Sequence, residues 1–110
     1  MKVQQKGHIT IIKNTHLGTA EFYQKLWHEY NSYKSQNLII DLSHDKKMTI
    51  ANIKLFIEMN KSHKKEKKSL VLVADTININ DVSAKLTIVP TILEAHDIIE
   101  MEEIERDLGF

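Results

Sequence analysis

Two apolar runs, Leu38-Ile39-Ile40-Asp41-Leu42 and Leu70-Val71-Leu72-Val73, stand one helix apart, and no other feature of the chain limits its fold as much. A strand with one wet face alternates apolar and polar residues, whereas a near-continuous run is the mark of a strand covered on both faces. The intervening residues carry a helical pattern from Thr49 to about Lys68, with Ile50, Ile53, Phe56, Ile57 and Asn60 on one face. A connection of that length suits a right-handed crossover helix. Thr49 is placed to cap it, its hydroxyl accepting from an amide two or three residues on. The loop Ser43-His44-Asp45-Lys46-Lys47 then lies at the carboxyl end of the first strand, where open α/β sheets place their functional surface.

The other elements pack around that unit. Met1 to Gln5 and His8 to Lys13 form a predicted hairpin across Lys6-Gly7, the glycine supplying a positive φ. Asn14 to Gly18 breaks the pattern. Thr19 is a second expected cap, opening a helix to about Lys34 with Phe22, Leu26, Tyr30 and Tyr33 in one stripe. Tyr23, Trp27, Tyr30 and Tyr33 are candidates for stacking on bases, but helical spacing reads them as core or covering residues. Asp75 to Lys85 is polar and interrupted, a loop with at most one helical turn at Asn80 to Ala84. Leu86 to Val89 is a fifth strand stopped by Pro90, and Thr91-Ile92-Leu93-Glu94 has the form of a capping box. The helix it opens presents Ala95, Ile98, Ile99, Ile104 and Leu108 as its apolar face and ends at Gly109. The alternative makes Asp97 to Met101 the last strand and Glu102 to Leu108 the last helix. The expected architecture is α/β: one domain spanning residues 1–110, a mixed sheet of about five strands with helices packed on it, in the order β-β-α-β-α-β-β-α.

Charge is balanced overall, 15 Lys and Arg against 15 Asp and Glu, but unevenly placed. Lys46 to Lys68 holds eight Lys against Glu58 and Glu66, whereas Glu94 to Asp107 holds seven acids against Arg106. One helix is therefore basic and the last acidic. The absence of Cys excludes disulfides and thiolate metal sites, and no apolar run approaches a membrane span. With no apolar core of a secretion signal at its start, the chain is expected in the cytoplasm.

The opening hairpin, the Leu38–Leu42 strand leading into the central helix, the Leu70–Val73 strand and the Pro90-Thr91-x-x-Glu94-Ala95 helix start fall in an order that resembles the STAS family, the fold of anti-sigma factor antagonists. The resemblance covers essentially the whole chain and lies in order and length more than in motif. It implies a regulatory domain that binds a protein partner. Members that act as phospho-switches carry Asp-Ser-Ser/Thr-Gly-Leu at the start of the central helix. With that Leu aligned to Ile53, the acceptor hydroxyl is replaced by Ala51, which leaves Thr49 as the candidate phosphorylation site nearby. A narrower resemblance joins Val89 to Thr91 and Glu94 to Phe110 to the end of short flavobacterial-type proteins often labelled ribonuclease Z. That enzyme needs a His-x-His-x-Asp-His cluster to hold two zinc ions side by side. His8, His16, His28, His44, His63 and His96 are scattered singly, so this resemblance implies association with the enzyme and not its activity.

The chemistry-bearing residues support binding more than catalysis. His44-Asp45 has the types of a base and its orienter, yet adjacent loop residues rarely bond side chain to side chain in the needed geometry. Glu94, His96 and Glu100 have metal-ligand spacing on a helix, but a lone His among exposed carboxylates is ordinarily solvated. The three Gly are isolated, so no phosphate-cradling loop exists. No catalytic residue, metal or cofactor is expected. The favoured reading is a non-enzymatic interaction domain whose protein partner meets Ser43, His44, Asp45, Thr49 and Asn52. Its rivals are a small enzyme using His44 and Asp45, and an accessory to ribonuclease Z in tRNA processing that binds RNA or the enzyme through Lys61, Lys64, Lys65, Lys67 and Lys68. Nucleic acid is the less favoured partner, because those lysines suit a solvated helix end, complement the helix dipole, and have no Arg among them for bidentate phosphate contacts.

Overall fold

The computed structural model describes residues 1–78, 82 and 85–109. Gly7, at φ +62°, turns strand β1 (Lys2–Lys6) back on β2 (Ile9–Lys13) as the expected antiparallel hairpin, with Lys6 opposite Ile9 and Lys2 opposite Lys13. Helix α1 (Thr19–Glu29) and a 3₁₀ turn (Tyr30–Ser32) lead to β3 (Asn37–Asp41), which lies parallel to β2. Helices α2 (Ile50–Lys54) and α3 (Phe56–Lys65) lead to β4 (Leu70–Val73), then come β5 (Ile88–Val89) and α4 (Ile92–Asp107). The result is a mixed five-stranded sheet in the order β1-β2-β3-β4-β5, with β2 to β5 parallel and helices packed on it.

The two apolar runs are continuous because each strand feeds two cores. Leu38, Ile40, Leu70 and Leu72, with Ile12 from β2, face Phe22, Leu26, Ile53, Phe56 and Met59 of α1 to α3. Ile39, Val71 and Val73, with Ile9 and Ile11, face Ala95 and Ile99 of α4 on the other side. Period-two geometry sends neighbouring residues to opposite faces, so both must be apolar. All five residues of β1 are exposed. Among the described residues no helix is long and apolar enough to cross a membrane.

Several local expectations are corrected. The central helix is two helices: the Leu55 amide bonds Asn52 O, three residues back, at 3.2 Å, a 3₁₀ step that interrupts the α ladder while its dihedrals stay helical (φ −57°, ψ −33°). It stops at Lys65, not Lys68, because Lys67 takes the left-handed conformation at φ +59°. The Lys67 amide then bonds Lys64 O at 3.0 Å and the Lys68 amide His63 O at 3.3 Å, the bond pair of a Schellman terminus without its usual glycine. Thr19 is the first residue of α1 and Gly18 holds the cap position, because the Thr19 hydroxyl is drawn to Asp45. Helix α1 ends at Glu29 and passes into the 3₁₀ turn instead of continuing to Lys34. Strand pairing at β5 begins at Ile88, although Leu86 is buried. Thr91 caps α4 by accepting from the Glu94 amide at 3.2 Å, and Asp97 to Met101 lie inside that helix and not in a strand. Ile104 and Leu108 are 59% and 66% exposed, because the sheet-facing side of the last turns of α4 carries Glu102, Glu103 and Arg106 in a polar network. Of the turn expected at Asn80 to Ala84, all but Val82 lies outside the described residues.

Candidate functional site

At the carboxyl ends of the strands, polar side chains are tied to backbone. Asp41 is buried, and its Oδ1 accepts from the Ser43 amide at 3.0 Å and the Ser43 hydroxyl at 2.6 Å, closing a local turn. Asp45 reaches across to the start of α1. Its Oδ2 accepts from the Thr19 amide at 2.9 Å and the Thr19 hydroxyl at 2.8 Å, and its Oδ1 from the Lys47 amide at 3.0 Å. It thereby supplies α1 with the N-terminal acceptor that Gly18 lacks, and sets a negative charge at the positive end of the helix. Partial burial alone would raise the Asp45 carboxyl, but the bonds from Thr19 and Lys47, with the neighbouring His44, outweigh it and hold the group below its ordinary value.

The neighbouring loop is built the same way. Asn14 is buried; its Oδ1 accepts from the Leu17 amide at 3.0 Å, its Nδ2 donates to Leu17 O at 2.7 Å, and its own amide bonds Asp41 O at 3.0 Å. Thr49 and Asn52 form a reciprocal capping box: the Asn52 amide donates to the Thr49 hydroxyl at 3.2 Å, and the Thr49 amide to Asn52 Oδ1 at 3.1 Å. Lys46 meets Asp75 at 3.1 Å, an exposed pair worth little by itself.

The expectation of a loop standing free at the strand end is therefore corrected for Ser43 and Asp45. Both are partly buried and bonded, whereas His44 is exposed and makes no hydrogen bond among the described residues. His44 and Asp45 do not bond each other as base and orienter, since both Asp45 oxygens are engaged elsewhere. A shallow depression of about 340 Å³ brings His44, Asp45, Lys46 and Lys47 beside His16, Leu17 and Gly18. It is a dish and not a cleft, because α1 and α2–α3 pack on the same face and the strand order never reverses. The crevice that such a reversal opens is accordingly not formed. Sequence reasoning missed His16, which no local pattern relates to His44.

The basic end of α3 divides. His63 turns inward and is fully buried. Its Nε2 donates to Gln36 O at 2.7 Å, so its Nδ1 accepts from the Tyr30 hydroxyl, also at 2.7 Å. Burial pushes the imidazole below its ordinary value and Lys68 and Arg106 add to the depression, against the opposing pull of Gln36 O and Glu66. Lys64, Lys67 and Lys68 line a cavity of about 570 Å³ together with Arg106, Ser69, Thr87, Glu102 and Glu105. Lys61 lines an adjoining depression with Ile57 and Lys85, which shares Asn60 and Lys64 with that cavity, and Lys65 lines neither. Arg106 donates to Ser69 Oγ at 3.0 Å and Asn37 Oδ1 at 3.4 Å; Ser69 Oγ donates to Glu102 at 2.6 Å, and Asn37 Nδ2 to Glu103 at 2.8 Å. The sequence shows no Arg among the lysines, but the fold brings in the one belonging to the acidic helix.

The aromatic residues pack on one another. Trp27 stacks on Tyr30 at 5.3 Å between ring centres, Tyr23 meets Phe56 edge-on at 4.9 Å, and Trp27 remains 42% exposed. Among the described residues no group of three or more His, Asp or Glu is arranged to hold a metal ion. No family model matches the chain, and no curated protein matches it.

Proposed function

We propose that the protein is a non-enzymatic, STAS-like regulatory domain that binds a protein partner through the surface from Ser43 to Ile53. One observation carries the reading: the groups there with chemical potential are spent on holding backbone. Asp41, Asp45, Thr49 and Asn52 all bond main-chain amides, so the surface is pre-organised while His44, Lys46, Lys47 and Ala51 stay exposed on it. Rigid display lowers the ordering cost of association, and Asp45, bonded at both oxygens to Thr19 and Lys47, does not orient His44 as a base. Ala51, the second residue of α2, has no hydroxyl to phosphorylate, so the partner is met without the usual switch. RNA is the weaker candidate, because Lys64, Lys67 and Lys68 line a cavity shared with Glu102 and Glu105, whose carboxylates disfavour a polyanion lying along the surface.

The test is capture from native lysate by the parent protein and by a His44→Glu/Lys47→Glu variant. Both positions are exposed, so melting temperatures should agree while capture of one defined protein falls. Equal capture by both proteins refutes this surface. Recovery of ribonuclease Z with RNA in place of a regulatory protein refutes the class of partner.

A further inference from the structure

We infer that the cavity between the ends of α3 and α4 binds a small phosphorylated ligand, its phosphate seated against Arg106, Lys67 and Lys68. Four cationic side chains line the cavity against two carboxylates, and one of those, Glu102, already accepts from Ser69. Lys64, Lys67 and Lys68 have no hydrogen bond or ion pair from their side chains among the described residues. Arg106 is partly buried, yet no described carboxylate lies within 4.0 Å of it. It spends two bonds on the neutral oxygens of Ser69 and Asn37, which orient the guanidinium and, among the described residues, leave its other N–H donors open. A partly desolvated guanidinium fixed by neutral groups, beside unpaired ammonium groups, is an arrangement for a planar or tetrahedral oxyanion.

Two further observations point the same way. Lys67 sits at φ +59° where glycine is the ordinary residue, so a cationic side chain is kept at this edge of the cavity at some cost in backbone energy. Its Schellman bonds occupy the carbonyls of His63 and Lys64, so those α3 carbonyls already have donors. A volume of about 570 Å³ exceeds that of a bare oxyanion and suits a phosphomonoester with an organic body lying toward Thr87 and Asn60. The site is at the amino ends of β3 to β5, beside Asn37, Ser69 and Thr87, opposite the Ser43–Ile53 surface, so it stands or falls independently of the reading above.

The test is a titration of ¹⁵N-labelled full-length protein, in phosphate- and sulfate-free buffer at physiological salt, with inorganic phosphate, pyrophosphate, adenosine monophosphate and a short RNA in separate arms. Saturable shifts at the amides of Lys67, Lys68, Ser69 and Arg106, with Kd at or below ~1 mM for at least one small anion, are expected. Tighter binding of the monophosphate than of inorganic phosphate or pyrophosphate identifies an organic phosphate as the source; the reverse identifies the free anion. Arg106→Gln and Lys67→Gly should each weaken binding about tenfold or more. Lys67→Gly should melt at or above the parent temperature, because glycine suits that backbone, so lost binding there is not misfolding. Lys61→Ala should bind as the parent does. Absence of saturation, an unchanged Lys67→Gly, or tight binding of RNA alone would overturn the site.

Discussion

Replacing Asp45 by alanine should destabilise the fold far more than its position in a polar loop suggests. The substitution removes acceptors from the Thr19 amide, the Thr19 hydroxyl and the Lys47 amide. Lys47 is exposed and its amide rehydrates, but Thr19 is only 1% exposed, so its two donors stay buried without partners. An unsatisfied buried donor costs about 1–3 kcal/mol, and loss of an N-terminal acceptor about 0.5–2 kcal/mol. These overlap, because the amide is counted in both, and a loss of about 3 kcal/mol follows, a large part of the ~5–15 kcal/mol that holds a small domain. Urea unfolding at pH 7 reads it as a lower midpoint with unchanged slope. The effect carries a pH signature. Because the folded carboxyl titrates below its ordinary 3.8, Asp45 contributes fully above that value, and the contribution fades as pH falls through the depressed folded value. The gap between parent and Asp45→Ala should therefore narrow in acid. His44→Ala, on the same loop but exposed, should stay within about 0.5 kcal/mol. A loss below about 0.5 kcal/mol for Asp45→Ala, or a gap that does not narrow in acid, would refute the claim that this carboxylate clamps α1.

Three further outcomes are expected. His63 is held neutral below its ordinary 6.5, so its stabilisation is complete above 6.5 and is lost as pH falls through 6.5 toward the folded value; Tyr30→Phe, which takes the donor from Nδ1, should cost about 1–2 kcal/mol by urea unfolding at pH 7.5. Phe56→Ala, at a fully buried side chain between α3 and the sheet, should cost about 3–5 kcal/mol in the same assay. Thr49→Ala opens the α2 capping box and should cost about 0.5–2 kcal/mol, while mass spectrometry after incubation with a cognate kinase should find no phosphate on α2; stoichiometric phospho-Thr49 would show a switch displaced by two residues from Ala51.

What the sequence determined by itself is what a few adjacent residues decide. The runs at Leu38 and Leu70 imply strands buried on both faces, Gly7 supplies the positive φ of the hairpin, and Thr49 and Thr91 accept from amides three residues on. Each rests on periodicity or on a bond within one turn, so it survives ignorance of everything further along the chain. The tertiary structure decided which distant groups meet: Asp45 with Thr19 across 26 positions, His63 with Tyr30 across 33, Arg106 with Asn37 across 69. It turned Ser43 and Asp45 from an open loop into a clamp, drew His63 out of the basic run, and brought Arg106 from the acidic helix to Lys67 and Lys68. Ile104 and Leu108 face outward because Ile104 follows Ile99 by five residues, not three or four, which puts it and Leu108 on the far side of α4 from Ala95. Helical periodicity states that residues share a face but not which neighbour that face will meet; only the order of strands in the sheet and the side on which each helix docks supply that.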